Sequence, residues 1–284
     1  MKLPKVVGNY ELLKLIGRGS SGEVYKSKNV KDDTFVAIKV VDLERSDIEH
    51  VNKEIVVMKN LQCDRLVKYL DSFVIKSTLY IVTELMERGS VLDLLKSEFP
   101  EGMPEKKVAK ILREILLGLK YLHLSNLIHR DIKADNILIN KNGKIKIGDF
   151  GVSKELWKNW DSKAKTFTGT LAWMAPEVIE ETNGYCYSAD IWSLGITAIE
   201  LATGKAPYER FSPIKTMIVV LQNPPPVLDQ KFSKKFRDFI TRCLKKEPDK
   251  RATVCELLDS PFLREGFIFD RKFKKFGLFK KFKD

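Results

Sequence analysis

Cysteine and histidine are scarce, with four of the first and three of the second in 284 residues. Cys63, Cys186, Cys243 and Cys255 have no C-x-x-C spacing and the histidines do not join them, which excludes a disulfide framework and a zinc module. Buried thiols in a reducing cytoplasm are the expectation. No apolar run approaches the roughly 18 residues needed to span a bilayer. Met1 to Tyr10 lacks the hydrophobic stretch of a secretory signal. There is no internal repeat.

What the chain does have is 44% hydrophobic and 31% charged residues, enough for a sizeable core and too apolar for wholesale disorder. The net charge is +12, and half of it sits at one end: Arg271 to Asp284 hold seven Lys/Arg and one Asp. A short basic tail is not a patterned basic face, and no base-stacking motif accompanies it, so no specific nucleic acid partner is expected.

Two halves differ in texture. Tyr10 to Ile16 alternates as a strand and runs into Gly17-Arg18-Gly19-Ser20-Ser21-Gly22. Further strands read over Glu23 to Asn29, Phe35 to Val41, Leu66 to Phe73 and Leu79 to Thr83, giving a five-stranded antiparallel sheet. One helix, near Asp47 to Leu61, is striped by Ile48, Val51, Ile55 and Met58. The second half is mainly helical. Glu105 to Leu124 carries an apolar stripe, and Ser188 to Thr203 is apolar nearly all round and ends at Gly204, which predicts a buried helix with a glycine cap. Ile137 to Asn140 and Lys144 to Ile147 flank Asn142-Gly143, a hairpin signal. Pro224-Pro225-Pro226 marks a loop.

The run Gly17-x-Gly19-x-x-Gly22-x-Val24 fits a dinucleotide loop, a phosphate-cradling hairpin tip or an ordinary glycine turn. A dinucleotide fold would put a helix after it. Strand-like alternation follows instead, so the glycines sit at a hairpin tip where backbone N–H groups can approach phosphate oxygens. Val36-Ala37-Ile38-Lys39 then places a lysine on the third strand. Glu54, at the rim of the helix stripe, is a carboxylate that can reach it.

His129-Arg130-Asp131-Ile132-Lys133-Ala134-Asp135-Asn136, Asp149-Phe150-Gly151 and Ala175-Pro176-Glu177 follow in order. Together with the glycine loop and Lys39 they resemble the protein-kinase signature set over Tyr10 to Leu263. That resemblance implies an α+β, two-lobed kinase domain over about 10–263. Its small antiparallel sheet lobe and hinge would occupy 1–86, its mainly helical large lobe 87–263, and a basic, phenylalanine-rich tail 264–284.

It also implies roles. Asp149 and Asn136 would hold Mg²⁺, a hard cation suited to oxygen ligands. Lys39, positioned by Glu54, would hold the phosphates of ATP under Gly17, Gly19 and Gly22. Val24, Ala37 and Thr83 would line the adenine site, with Thr83 as gatekeeper and Glu84 and Met86 offering backbone groups. Asp131 would orient the substrate hydroxyl and accept its proton, and Lys133 would steady the transferred phosphate. Arg130 would await a phosphate at Thr166, with Thr168 as a second acceptor, while Thr170 would bond Asp131 and Lys133. Arg251 would pair with Glu177, and Asp190 would brace the catalytic loop.

Asp-Ile-Lys-Ala-Asp-Asn around Lys133 resembles serine/threonine rather than tyrosine kinases. Gly89 to Leu95, Trp173 to Val178 and Ala189 to Thr197 are similar to the germinal-centre branch of sterile-twenty-like kinases. Ser212 to Lys215 and Leu221 to Pro226 resemble its stress-responsive members. The resemblance implies protein substrates, activation by an upstream kinase or by a second copy in trans, a place in a signalling cascade and a cytoplasmic setting. Val152 implies a preference for threonine acceptors.

Ser21 departs from the aromatic common at the loop tip, and Leu171-Ala172 from the usual Pro-Phe or Pro-Cys. No scaffold-binding or autoinhibitory domain is legible, so the expectation is a minimal kinase or a piece of a longer chain. The rival readings are a pseudokinase, which normally lacks a Lys, Asp or Asn that is present here, and a basic adaptor whose tail meets an anionic membrane or an acidic partner.

Overall fold

The computed structural model describes residues 5–19, 22–45, 55–149, 171–180 and 186–264. Two compact units emerge, the first holding the residues up to Glu87 together with Asp149, the second the rest.

The first unit is a six-stranded antiparallel sheet: β1 (Val6–Val7), β2 (Tyr10–Gly19), β3 (Gly22–Asn29), β4 (Phe35–Asp42), β5 (Tyr69–Ile75) and β6 (Thr78–Glu84), in the order β1-β2-β3-β4-β6-β5. The sixth strand corrects the expected five. At two residues, β1 is too short to show any alternation, yet it pairs Val6 with Glu11 and Val7 with Tyr10. β5 also starts three residues later than its apolar pattern suggests. Leu66 and Val67 are buried without joining the ladder, and β5 runs on to a turn at Lys76, whose φ is 55°. Residues 55–60 are helical (α1).

Period-2 alternation sorts the strand residues onto two faces. Val36, Ile38, Tyr80 and Val82 join Val7, Tyr10 and Leu12 in one cluster, where Tyr10, Phe73 and Tyr80 stack with centroids 6.0 and 5.2 Å apart. Val41, Leu79 and Ile81 face the other way and pack with Ile55 of α1.

The second unit is mainly helical: α2 (Val91–Glu98), α3 (Glu105–Leu124), α4 (Pro176–Ile179), α5 (Tyr187–Thr203), α6 (Pro213–Gln222), α7 (Lys234–Cys243) and α8 (Val254–Leu258), with the hairpin β7 (Ile137–Ile139) and β8 (Ile145–Ile147). Short 3₁₀ turns lie at Ala134–Asn136 and Leu171–Trp173. Ser90 and Asp93 form a capping box that starts α2, satisfying two helix-end donors. The stripe on α3 is buried as its spacing requires.

α5 is enclosed from Ala189 to Ala202 and ends at Gly204 with φ 81°. A β-carbon on Gly204 would collide with the Pro100 carbonyl oxygen, so both backbone conformation and space demand glycine there. β7 and β8 form the hairpin that Asn142-Gly143 signals. Gly143 N–H donates to Asn140 O at 2.9 Å and only Gly143 has positive φ, so the loop has three residues. Asn140 Oδ1, accepting from the amides of Asn142 and Lys144, favours the longer loop.

Candidate active site

In the first unit the ladder brings the expected nucleotide-site residues onto one face. Val24 pairs with Lys39, Lys39 with Ile81, and Ala37 with Thr83. Directly opposed residues point to the same side of a sheet. Gly17, opposite Val24, extends that row to β2. Gly19 and Gly22 close the β2–β3 hairpin as partners. Gly22 has φ 137°, and a β-carbon there would run into the Val40 carbonyl oxygen. A side chain is thus excluded on backbone and steric grounds together.

Lys39 Nζ donates to Asp149 Oδ1 at 2.5 Å, with the two side chains 15% and 41% exposed. Glu54, expected to position Lys39, lies outside the described residues. On β6, Glu84 N–H donates to Lys68 O at 3.0 Å and its carboxylate accepts from Lys68 N–H at 2.6 Å, so its main-chain donor is committed to the first unit's own structure. Met86 is buried just beyond the strand.

In the second unit the expected catalytic loop is built from side chains reaching backbone. Asp190, fully buried at the start of α5, accepts from His129 N–H at 2.9 Å and from Arg130 N–H at 2.7 Å. Arg130 takes φ 73°, an unfavourable region for a side-chain-bearing residue, and this carboxylate holds it there. His123 Nε2 of α3 donates to the same carboxylate at 2.9 Å. His129 Nε2–H donates to Gly148 O at 3.0 Å, and its Nδ1 accepts from Asp131 N–H at 3.3 Å, which assigns the neutral Nε2–H tautomer.

Asp131 Oδ2 accepts from Lys133 Nζ at 2.9 Å and from Asn136 Nδ2 at 2.7 Å, while Oδ1 is buried with no hydrogen-bond partner among the described residues. Asn136 Nδ2 also donates to Asp131 O at 2.8 Å. Its amide nitrogen is committed inward, which leaves the amide oxygen as its ligand atom. An amide oxygen is a hard ligand of the kind Mg²⁺ takes, and the carboxylate of Asp149, in the first unit, is another.

Glu177 and Arg251 form a buried bidentate pair at 2.5 and 2.6 Å. The remaining guanidinium donors reach the carbonyls of Lys245, Lys246 and Ser188, and the ring of Trp192 lies 5.1 Å from the guanidinium carbon. All five N–H groups are thereby used.

Sequence reasoning missed two contributors. His123 gave no signal, because a histidine on an amphipathic helix is ordinary. Glu200, whose Oε2 accepts from Ala134 N–H at 3.2 Å and from Trp173 Nε1–H at 3.1 Å, gave a faint one, as a carboxylate inside a helix that is otherwise almost wholly apolar. Thr166, Thr168, Thr170, Phe150, Gly151 and Val152 lie outside the described residues, as do Ser20, Ser21 and the tail from residue 265.

A protein kinase domain model matches residues 10–263. The chain is 44% identical over 259 residues to the serine/threonine-protein kinase ppk11 of Schizosaccharomyces pombe, covering 90% of this chain and 82% of that one. It is equally identical to the serine/threonine-protein kinase hippo of Drosophila melanogaster, covering 90% of this chain and 38% of hippo. To the serine/threonine-protein kinase fray2 of Dictyostelium discoideum it is 41% identical over 270 residues, 93% of this chain and 26% of fray2. The chain thus spans about a quarter of fray2 and under half of hippo. With the sheet unit, the helical unit and the ordered signature residues in place, these matches make the chain a member of the protein kinase family, a serine/threonine kinase of the sterile-twenty type.

Proposed function

We propose that this kinase transfers the γ-phosphoryl group of Mg-ATP to threonine, in preference to serine, on protein substrates within a signalling cascade. The observation that carries this reading is the asymmetry of Asp131. One carboxylate oxygen is held by Lys133 and Asn136, and the other is buried with no hydrogen-bond partner among the described residues. A buried acceptor lacking a donor costs about 1–3 kcal/mol, and a substrate hydroxyl would remove that cost.

In this mechanism Asp131 Oδ1 accepts the hydroxyl hydrogen bond, aims the oxygen in line and takes its proton as the new P–O bond forms and the bond from the γ-phosphorus to the β,γ-bridging oxygen breaks, with ADP as the leaving group. Lys133 already bonds Asp131 Oδ2 and steadies the transferred group. Lys39 holds phosphate oxygens, and glycine at positions 17, 19 and 22 lets the hairpin backbone come close. Asn136 and Asp149 would each offer an oxygen to Mg²⁺, which when bound would neutralise charge on the phosphate oxygens. Glu84 offers its carbonyl and Met86 its amide to adenine.

The threonine preference rests on Val152 and the regulation on Arg130, whose partner would be a phosphate at Thr166 placed by an upstream kinase or by a second copy of the chain. Thr166 and Val152 stand on resemblance alone. Incubating the chain with Mg-ATP and a degenerate peptide library, read by mass spectrometry, tests the whole reading. Phosphothreonine products and a phosphorylated Thr166 are expected. Serine-dominated products would remove the acceptor preference, and the absence of any phosphopeptide would remove the mechanism.

A further inference from the structure

Glu105, the first residue of α3, holds the residue that caps α7: its carboxylate accepts from Ser233 N–H at 2.8 Å and from Ser233 Oγ–H at 2.6 Å. The starts of the two helices therefore lie side by side, and both are basic. Residues 105–113 hold four Lys/Arg against Glu105, and residues 229–238 hold four against two Asp. Together these stretches carry a net +5, nearly all of the +6 that remains outside Arg271 to Asp284. Lys106, Lys231, Lys234 and Lys235 are exposed. Lys106 on α3 and Lys234 and Lys235 on α7 sit in first turns, where the helix dipole favours acidic side chains. Helix stability does not account for that placement, and the concentrated charge points to an anion outside the chain.

Lysine–aromatic pairs border this face: Lys107 Nζ lies 4.4 Å from the ring centre of Phe99, and Lys231 Nζ 5.2 Å from that of Phe232. The tail departs from the same region. Phe262 stacks on Phe236 of α7 with centroids 4.3 Å apart, and Phe232 meets Phe236 edge-on at 5.9 Å. Two residues later, at Arg264, the described residues end, and twenty more follow in the sequence. They repeat the composition of the face, phenylalanine among lysines, and twenty residues can reach at most about 70 Å.

We propose that the folded face around the Glu105–Ser233 contact and the tail that leaves beside it form one docking surface for an anionic lipid membrane. The proposal stands independently of the phosphoryl-transfer mechanism. A bilayer fits better than an acidic protein because Phe273, Phe276, Phe279 and Phe282 recur at every third residue, a spacing that gives no narrow helical stripe for a protein groove. A lipid interface takes aromatic side chains in any register, and its headgroups offer negative charge over the whole area. Face and tail act together, since stable attachment to a membrane takes two weak signals rather than one. Each Lys/Arg brought near the surface strengthens partitioning by about fivefold.

The test uses the full chain and phosphatidylcholine vesicles with and without phosphatidylserine, sedimented at low and high salt. Lys106→Glu, Lys234→Glu and Lys235→Glu together reverse the face. Lys14→Glu, Lys31→Glu and Lys68→Glu make the same change in net charge at exposed positions of the first unit. The unaltered chain is expected to bind the phosphatidylserine vesicles at low salt, to leave them at high salt and to ignore the neutral ones. The face variant is expected to bind about tenfold more weakly or worse, and the control to stay within about threefold, with circular dichroism unchanged in both. Acidic residues in a first turn suit the helix dipole, so the reversed face should fold. Should it not, the same three positions changed to Gln decide by the same comparison.

An unaltered chain that does not sediment with phosphatidylserine vesicles overturns the proposal. So does a face variant that binds as the unaltered chain does, or a control that loses as much, since net charge alone would then suffice. Capture of the chain by soluble polyglutamate without vesicle binding assigns the face to an acidic protein and overturns it as well.

Discussion

Asp131, Lys39 and Asp149 are single side chains whose charges the proposed mechanism uses directly. Asp131→Asn keeps the shape and the Oδ2 partners' neighbourhood but removes the proton acceptor. Lys39→Met removes the ammonium, and Asp149→Asn weakens the carboxylate that Lys39 grips at 2.5 Å. Each variant is expected to retain its circular dichroism while losing on the order of 3 kcal/mol or more of transition-state stabilisation, measured as kcat/KM. Glu200 supplies a prediction about stability and pH. Its carboxyl is raised from 4.5 to about 7 by burial, so between those values the folded state binds a proton that the unfolded state does not. Stability must then fall as pH rises through that window. At about 1.4 kcal/mol per pKa unit, Glu200→Gln should gain roughly 2–3 kcal/mol relative to wild type between pH 5 and pH 8. Urea unfolding at the two pH values checks the sign.

At the scale of helices and strands, two contacts fix how α5 meets its neighbours. A β-carbon on Gly195 would lie 2.8 Å from Cys243 Cβ and Leu244 Cδ2, at the C-terminal end of α7. Alanine improves helix propensity by about 1 kcal/mol, whereas overpacking costs about 1–3 kcal/mol. Since Cys243 and Leu244 are buried and cannot swing away, overpacking wins, and Gly195→Ala should lower the thermal midpoint. Glu177→Gln should cost about 3–5 kcal/mol, because it leaves the Arg251 guanidinium buried without its counter-charge. A denaturant midpoint would measure the loss.

These elements also show what was readable in advance. Strand alternation and the α3 stripe report burial on one face, so most of the sheet and the long helices were legible. β1 was not, because two residues carry no period. The hairpin before Lys144 was legible from Asn142-Gly143, whereas the capture of two amides by Asn140 was not. The signature residues were legible as ordered motifs. The Glu200–Trp173 tie was not, since it joins residues 27 positions apart that neither periodicity nor motif relates.

Across the whole molecule, charge is unevenly placed: of a net +12, half belongs to the last fourteen residues. Each basic residue near an anionic surface contributes on the order of 1 kcal/mol. On the reading in which the tail meets an anionic membrane, deleting 271–284 abolishes salt-sensitive co-sedimentation with anionic vesicles and leaves peptide phosphorylation intact; vesicle sedimentation at low and high salt tests that reading. The catalytic loop has a different consequence. From 129 to 133 it forms no helix or strand, yet the amides of His129, Arg130 and Asp131, and that of Ala134 at the start of the following 3₁₀ turn, are all taken, by Asp190, His129 and Glu200. Two of these three acceptors stand on α5. In deuterium-exchange experiments such amides open only when the helix that holds them gives way. This irregular stretch should accordingly exchange on the slow timescale of α5, and a single Asp190→Ala change should release His129 and Arg130 while α5 itself stays protected.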